Sequence, residues 1–279
     1  MGGPERLEQS EDRWTTGMGA FFPAEGRVVF RGKDLHRDCK DMAWMELLLY
    51  GITGRRFDAN QTRLFEGIWT LCTSYPDPRL WNNRVAALAG TVRSTASLAV
   101  CGANAVSEAT IYGHRPIIGA IDFLLAAKTA RDLGGNLAEF VKDRLRRNRT
   151  LPGYGRPVRR TDERIGPVLA LLGELGFPRG PHVALAFEIE DILLAHRFRL
   201  PMNIAALLAA IAADQGLSRR EYHHFMILGF SAGMFPCYIE AVNQPGLGFF
   251  PLRCDRIAYE GTPARPWHTP AAGEPGQSP

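Results

Sequence analysis

The segment Leu151-Pro152-Gly153-Tyr154-Gly155-Arg156-Pro157-Val158-Arg159-Arg160-Thr161-Asp162-Glu163-Arg164 carries the densest chemistry in the chain. Gly153 and Gly155 flank Tyr154 and let backbone N–H groups come close to a ligand, and a helix starting near Asp162 would add the positive end of its dipole. Arg156, Arg159, Arg160 and Arg164 supply forked donors that suit carboxylate or phosphate. The spacing predicts an anion-binding loop. The plainer reading is a solvated basic loop with Asp162 as an N-cap.

Few other residues offer proton or nucleophile chemistry. His114 titrates near neutrality when unperturbed and is a candidate acid or base, although a histidine at a helix start is often a cap or a solvated ring. Asp77 and Asp122 are spare acids. Cys101 sits among alanines, which predicts burial, and no base stands near it in sequence. His223 and His224 are adjacent, so on one helix they point apart and cannot form a metal pair; no metal site is expected. The cysteines Cys39, Cys72, Cys101, Cys237 and Cys254 are odd in number and show no Cys-x-x-Cys pair, which favours reduced thiols and a cytoplasmic location.

The elements that must hold these residues read as helices. Apolar side chains recur at helical spacing over Met42–Tyr50, Ala59–Thr73, Ile117–Ala130, Leu137–Arg147, Asp162–Leu175, Pro181–His196, Met202–Asp214 and Ser218–Val242. Arg84–Ile111 is apolar around much of its circumference and predicts a buried helix or helix pair. Gly113-His114-Arg115-Pro116 reads as a break, and Val28-Val29-Phe30 as a short strand or turn. Period-2 segments are almost absent, so the expected class is all-α with no sheet of consequence. Residues 1–20 and 263–279 are polar and rich in Gly, Pro, Glu and Ser, and read as mobile tails.

A composition that is 46% hydrophobic supports a globular core. The formal charge of +4 is small, and the basic residues crowd one segment, from Lys142 to Arg160. That distribution fits a local anion site better than a nucleic-acid binder. The first residues lack the basic start and apolar run of a signal peptide, and no apolar run reaches membrane-spanning length without charge. Trp44, Trp69 and Trp81 lie in apolar segments and read as core or subunit-interface anchors.

The order Pro-Gly-Tyr-Gly-x-x-Val-x-Arg-x-Asp-x-Arg resembles the citrate synthase superfamily, especially the shorter citryl-CoA lyases and the C-terminal part of ATP-citrate lyase. The resemblance covers roughly residues 27 to 261. It implies a large helical domain (21–112 and 200–262), a smaller inserted helical domain (113–199), and a ligand cleft between them. It also implies a homodimer or higher homo-oligomer, with no cofactor beyond a CoA thioester as possible substrate.

Such enzymes form or cleave a carbon–carbon bond next to an acyl-CoA carbonyl, using an aspartate as base and two histidines as donors. The resemblance places Ala205 of Leu200-Pro201-Met202-Asn203-Ile204-Ala205 in the aspartate seat and Arg156 in one histidine seat. The other histidine seat falls on Ile117, or on Cys101 in a competing alignment. His114 and Arg156 are then the catalytic candidates. Gly153, Tyr154, Gly155, Arg159, Arg160, Arg164, Asn203 and Arg253 are the candidates for holding substrate, a small carboxylate or acyl-CoA. Glu188 and Glu190 read as structural helix acids.

Two functions follow. The first is altered carbon–carbon lyase or synthase chemistry on an acyl-CoA or related polycarboxylate. The second is a catalytically silent relative that keeps the anion cleft for binding or regulation. Neither nucleic acid nor a membrane is an expected partner.

Overall fold

The structure is a computed structural model and describes residues 3–156, 161–195, 199–245 and 253–263. It opens with one exposed helical turn, α1 (Pro4–Glu8), and three short antiparallel strands, β1 (Gly19–Phe22), β2 (Arg27–Phe30) and β3 (Lys33–Asp34), in the order β1-β2-β3. The end of the expected tail is thus paired rather than free. Gly19 makes the pairing possible, because a Cβ there would lie 2.5 Å from the Val29 carbonyl oxygen. No strand residue is fully buried, so the sheet is an edge ornament on a helical body.

The helices that follow are α2 (Trp44–Thr53), α3 (Ala59–Cys72), α4 (Trp81–Thr91), α5 (Ala96–Val106), α6 (His114–Asp132), α7 (Leu137–Asn148), α8 (Ile165–Glu174), α9 (Pro181–Ala195), α10 (Ile204–Asp214), α11 (Arg219–Met226) and α12 (Ser231–Asn243), with a 3-10 turn at Cys254–Arg256. The all-α expectation holds. The geometry settles one local expectation that was left open and corrects three others.

The 84–111 stretch is a helix pair, broken at Arg93, whose φ is +59°. The Arg93 guanidinium reaches across to donate to the carbonyls of Ala241 (3.1 Å), Val242 and Gln244 (2.6 Å), so the corner of one pair caps the C-terminus of α12. The 218–242 stretch is likewise two helices, which turn at Ile227–Phe230 where Gly229 passes over the Trp69 ring. The break expected over 113–116 is Gly113 alone, with φ +144°. Pro116 falls in the first turn of α6, where its missing N–H removes no intrahelical bond. Finally, α8 starts at Ile165 and not at Asp162.

The centre of the molecule is α10, buried at every residue from Ile204 to Ala212. Its alanines let α6 and α9 approach closely, while Leu207, Leu208 and Ile211 fill the gaps. Burying each such side chain is worth roughly 1.5–3 kcal/mol over leaving it in water. One contiguous core runs from Met45 to Met234 through both of the divisions expected from the resemblance. Trp69 stacks on Phe225 and donates to its carbonyl, as an anchor should. Cys101, expected inside, is exposed, because the inward places of its helix go to Ala99 and Ala103; Trp44 is exposed as well, which leaves the subunit-interface alternative of its two readings and not the core one.

Candidate functional site

The glycine turn is fastened to the start of α10. Gly153 and Gly155 have φ of +90° and +82°, a region costly for residues with a side chain. The Gly155 N–H donates to Pro201 O (2.6 Å), the Asn203 N–H to Gly153 O (2.9 Å), and Asn203 Nδ2 to Gly155 O (2.9 Å). Tyr154 forms an isolated antiparallel bridge with Met202. The other end of the Asn203 amide, Oδ1, accepts from the Ala205 N–H at 3.0 Å and caps α10. Tyr154 is therefore structural in this geometry: its buried hydroxyl donates to Ala186 O at 2.9 Å, and burial pushes its pKa up.

Asp162 does not cap the helix that follows it. Its side chain is 0% exposed and reaches the N-terminus of α10, where Oδ2 accepts from the Ile204 N–H (3.0 Å) and from Arg164 Nη2 (2.8 Å). Oδ1 accepts from Arg164 Nε (2.9 Å) and from the Arg164 N–H (3.2 Å). Burial would raise the Asp162 pKa, but the Arg164 bonds and charge and the Ile204 N–H outweigh it and hold the carboxyl below the usual range. The helix dipole that the sequence assigned to α8 is supplied by α10, and its occupant is this internal carboxylate. Beneath the pair, burial pushes the Cys72 thiol up to about 12, which leaves it protonated and unreactive.

Arg156 stands at the lip. Its Nη1 lies 2.6 Å from Glu163 Oε2, 3.3 Å from Thr161 O and 3.8 Å from Asp162 Oδ1. Thr161 and Asp162 also line an open cavity of about 250 Å³, together with Phe187, Glu190, Pro201 and Met202. Glu190 accepts from the Met202 N–H at 2.8 Å, which agrees with a structural role. A second cavity of about 190 Å³ lies where the turn meets α6 and α7, between Leu151, Pro152, Phe123, Asp122 and Arg144.

Of the expected substrate-holding residues, Gly153, Tyr154, Gly155, Arg164 and Asn203 therefore come together with Arg156, while Arg159 and Arg160 lie outside the described residues. Arg253 is exposed, pairs with Asp255 at 2.7 Å, and makes no hydrogen bond or ion pair with residues 151–156 or 161–164. Asp77 and Asp122 are engaged with Arg79 and Arg219.

His114 is neither a cap nor solvated. It is 1% exposed, and its ring lies flat on Phe230 with centroids 5.0 Å apart. Neither ring nitrogen makes a well-formed hydrogen bond among the described residues; Nδ1 is 3.4 Å from Glu108 Oε1. Glu108 in turn binds His223 Nε2 at 2.8 Å. Burial pushes the His114 imidazole below the usual histidine range, and the Glu108 charge offsets only part of that. Glu108 was not singled out from sequence, and His223 was weighed only as half of a metal pair with His224. They sit on separate elements, 115 positions apart, and no local pattern links them.

A histidine held neutral by burial stabilises the fold fully above its unfolded pKa of about 6.5, and that contribution is lost as pH falls from there toward the folded value. Urea unfolding at pH 7.5 and 5.5 checks this. The native chain should lose stability by up to ~1.4 kcal/mol per pH unit more than His114→Phe, which keeps the stack but cannot titrate. Equal losses would show that His114 gains its proton as readily inside as outside.

Ala205, in the seat that the resemblance gives to an aspartate, is the second residue of α10 and is buried. Ile117 lies one turn after His114 on α6, on the same helix face.

The chain matches no sequence-family model and no curated protein. Solved structures do match. Citryl-CoA lyase from Hydrogenobacter thermophilus superposes with a TM-score of 0.79 at 19% identity, over 91% of this chain and 97% of that one. ATP citrate lyase from Methanothrix soehngenii, in complex with citrate and coenzyme A, gives 0.72 at 14% identity over 94% of this chain, which spans only 45% of that larger protein. Citrate synthase from Thermotoga maritima gives 0.63 at 18% identity, over 86% of this chain and 63% of that one. The fold is that of citrate synthase and citryl-CoA lyase.

Proposed function

We propose that the protein binds a polycarboxylate or an acyl-CoA at the junction of the glycine turn and α10, and does so without citrate-synthase proton chemistry. The observation that carries this reading is the fastening of Gly153–Gly155 to Pro201–Asn203, which sets Arg156 beside the cavity walled by Thr161 and Asp162. The fold's likeness to citryl-CoA lyase, and to an ATP citrate lyase holding citrate and coenzyme A, supports the ligand class.

Against proton transfer stand the Ala205 methyl, which cannot take a proton, and His114, which is sealed from solvent. General acid–base help is typically worth ~10²–10⁴-fold, and a guanidinium does not replace it near neutral pH. The second reading, altered lyase or synthase chemistry, keeps Arg156 as oxyanion holder and His114 as proton carrier. Its support is the Glu108–His223 pair beside His114, which offers a route for a proton to the surface.

Differential scanning with acetyl-CoA, CoA, oxaloacetate and citrate tests the binding. A specific ligand at 100 times its Kd should add about 2.7 kcal/mol of stability and raise Tm accordingly. A flat response to all four would remove both readings. Turnover assays separate them: under the second, His114→Gln stays folded and loses activity, whereas under the first no turnover is seen with any variant.

The same reading takes the protein as a cytoplasmic homodimer. Leu88, Leu98, Phe235 and Ile239 are exposed on α4, α5 and α12, three helices packed on one another, as is Val92 just past the end of α4, and a second copy would cover them. Cys39, Cys72, Cys101 and Cys237 are free thiols. Residues 219–243 are long and apolar enough in composition to cross a membrane, but they are turned between α11 and α12, and Tyr222, Phe225, Met226 and Met234 face the core. Pairing of Arg147, Arg156 and Arg164 with internal carboxylates argues against a nucleic-acid surface.

A further inference from the structure

We infer that Glu163 is a built-in competitor for Arg156, an internal carboxylate that occupies the guanidinium until a ligand displaces it. The inference rests on the anion-binding reading above.

Arg156 is not a free surface arginine. It follows Gly155, whose backbone is held on both sides by Pro201 and Asn203, so its starting point is fixed. Its side chain is 27% exposed and makes its shortest contact, 2.6 Å, with Glu163. The other carboxylate within reach, Asp162, is 3.8 Å away and is already saturated by four N–H donors from Arg164 and Ile204. Asp162 cannot swing to Arg156 without leaving the α10 N-terminus bare.

Glu163 has no such commitment. Its side chain is 51% exposed, and the side-chain partner of its carboxylate among the described residues is Arg156 alone. The contact uses one nitrogen, Nη1, and is not the two-pronged fork that a guanidinium offers a well-placed carboxylate. A ligand that takes two parallel N–H bonds therefore gains more from Arg156 than Glu163 does, yet it must first expel a negative charge. The Arg156 bond also holds the Glu163 carboxyl below its usual range, so the competitor stays charged at neutral pH.

A half-exposed ion pair is worth about 0.2–1 kcal/mol. An internal competitor of that strength raises the apparent Kd by roughly two- to sixfold, because only the unpaired fraction of Arg156 can bind.

Titration calorimetry with citrate at low ionic strength, where surface charges are least screened, tests this on the full chain. Glu163→Gln should bind citrate about two- to sixfold more tightly than the native chain, and Glu163→Ala should do the same, which guards against a residual amide contact. The gain should vanish when Arg156→Met is added. Equal affinity in the native chain and both Glu163 variants, with weaker binding in Arg156→Met, overturns the competitor and leaves the anion site standing. A gain that survives Arg156→Met overturns it as well, since Glu163 would then act elsewhere. No citrate binding by any variant removes the anion site and the competitor together.

Discussion

Asp162→Ala should lower the unfolding free energy by about 3 kcal/mol, the low end of what removing one member of a buried ion pair costs. The low end applies because Arg164 is 31% exposed and can recruit some water, whereas the Asp162 side chain is wholly buried. Three kinds of group lose their partner at once: the Arg164 guanidinium, the Arg164 N–H, and the Ile204 N–H at the first turn of α10. For a domain of this size the loss corresponds to a fall in Tm of roughly 6–12 °C.

The origin of the cost is testable. In Asp162→Ala the Arg164 charge is left without its counterion, so adding Arg164→Met should recover at least ~1 kcal/mol although it removes another native side chain. Additive losses in the double variant would mean that the pair contributes nothing as a pair. Acid titration gives a second check. The folded Asp162 pKa lies below the unfolded value of about 3.9, so its contribution is present above that pH and is lost as pH falls through the folded value. The native chain should therefore lose stability below pH ~4 more steeply than Asp162→Ala.

Gly153→Ala should cost about 2–5 kcal/mol and weaken anion binding with it. Two effects add. A side chain at φ +90° costs roughly 1–2 kcal/mol, and overpacking a tight contact typically costs 1–3. The contact is severe: the added Cβ would lie 2.6 Å from the Ala206 Cβ and 3.0 Å from its Cα, inside the first turn of α10. Gly134 supplies the control, since its φ is +81° but nothing lies within 4 Å of a Cβ there. Gly134→Ala should show the backbone cost alone. If the two variants were equally stable, the turn would not be pressed against α10 as described.

Local pattern made much of this legible. The glycine turn and the apolar runs of α3, α9 and α10 follow from spacing alone, because each depends on neighbours a few residues apart. What escaped was set by distant partners. Asp162 has the look of a cap for the helix beside it, yet its N–H partner at Ile204 lies 42 positions on. Arg93 reads as one more charge in an apolar run, and only the approach of α12 shows why the chain bends there. His114 reads as a polar residue at a break until Phe230 closes over it. The arginine loop reads as free positive charge, because nothing in its spacing says that Glu163 and Asp162 fold back on it.

The Asn203 side chain works only because its two ends differ: nitrogen faces the Gly155 carbonyl and oxygen faces the Ala205 N–H. Spontaneous hydrolysis of that amide, the slow loss of ammonia that ages stored proteins, would leave an oxygen at both ends. The oxygen now facing Gly155 would repel the carbonyl that the nitrogen had held, while the helix cap survived. A preparation could thus keep its helices and its mass to within one unit while its loop came undone.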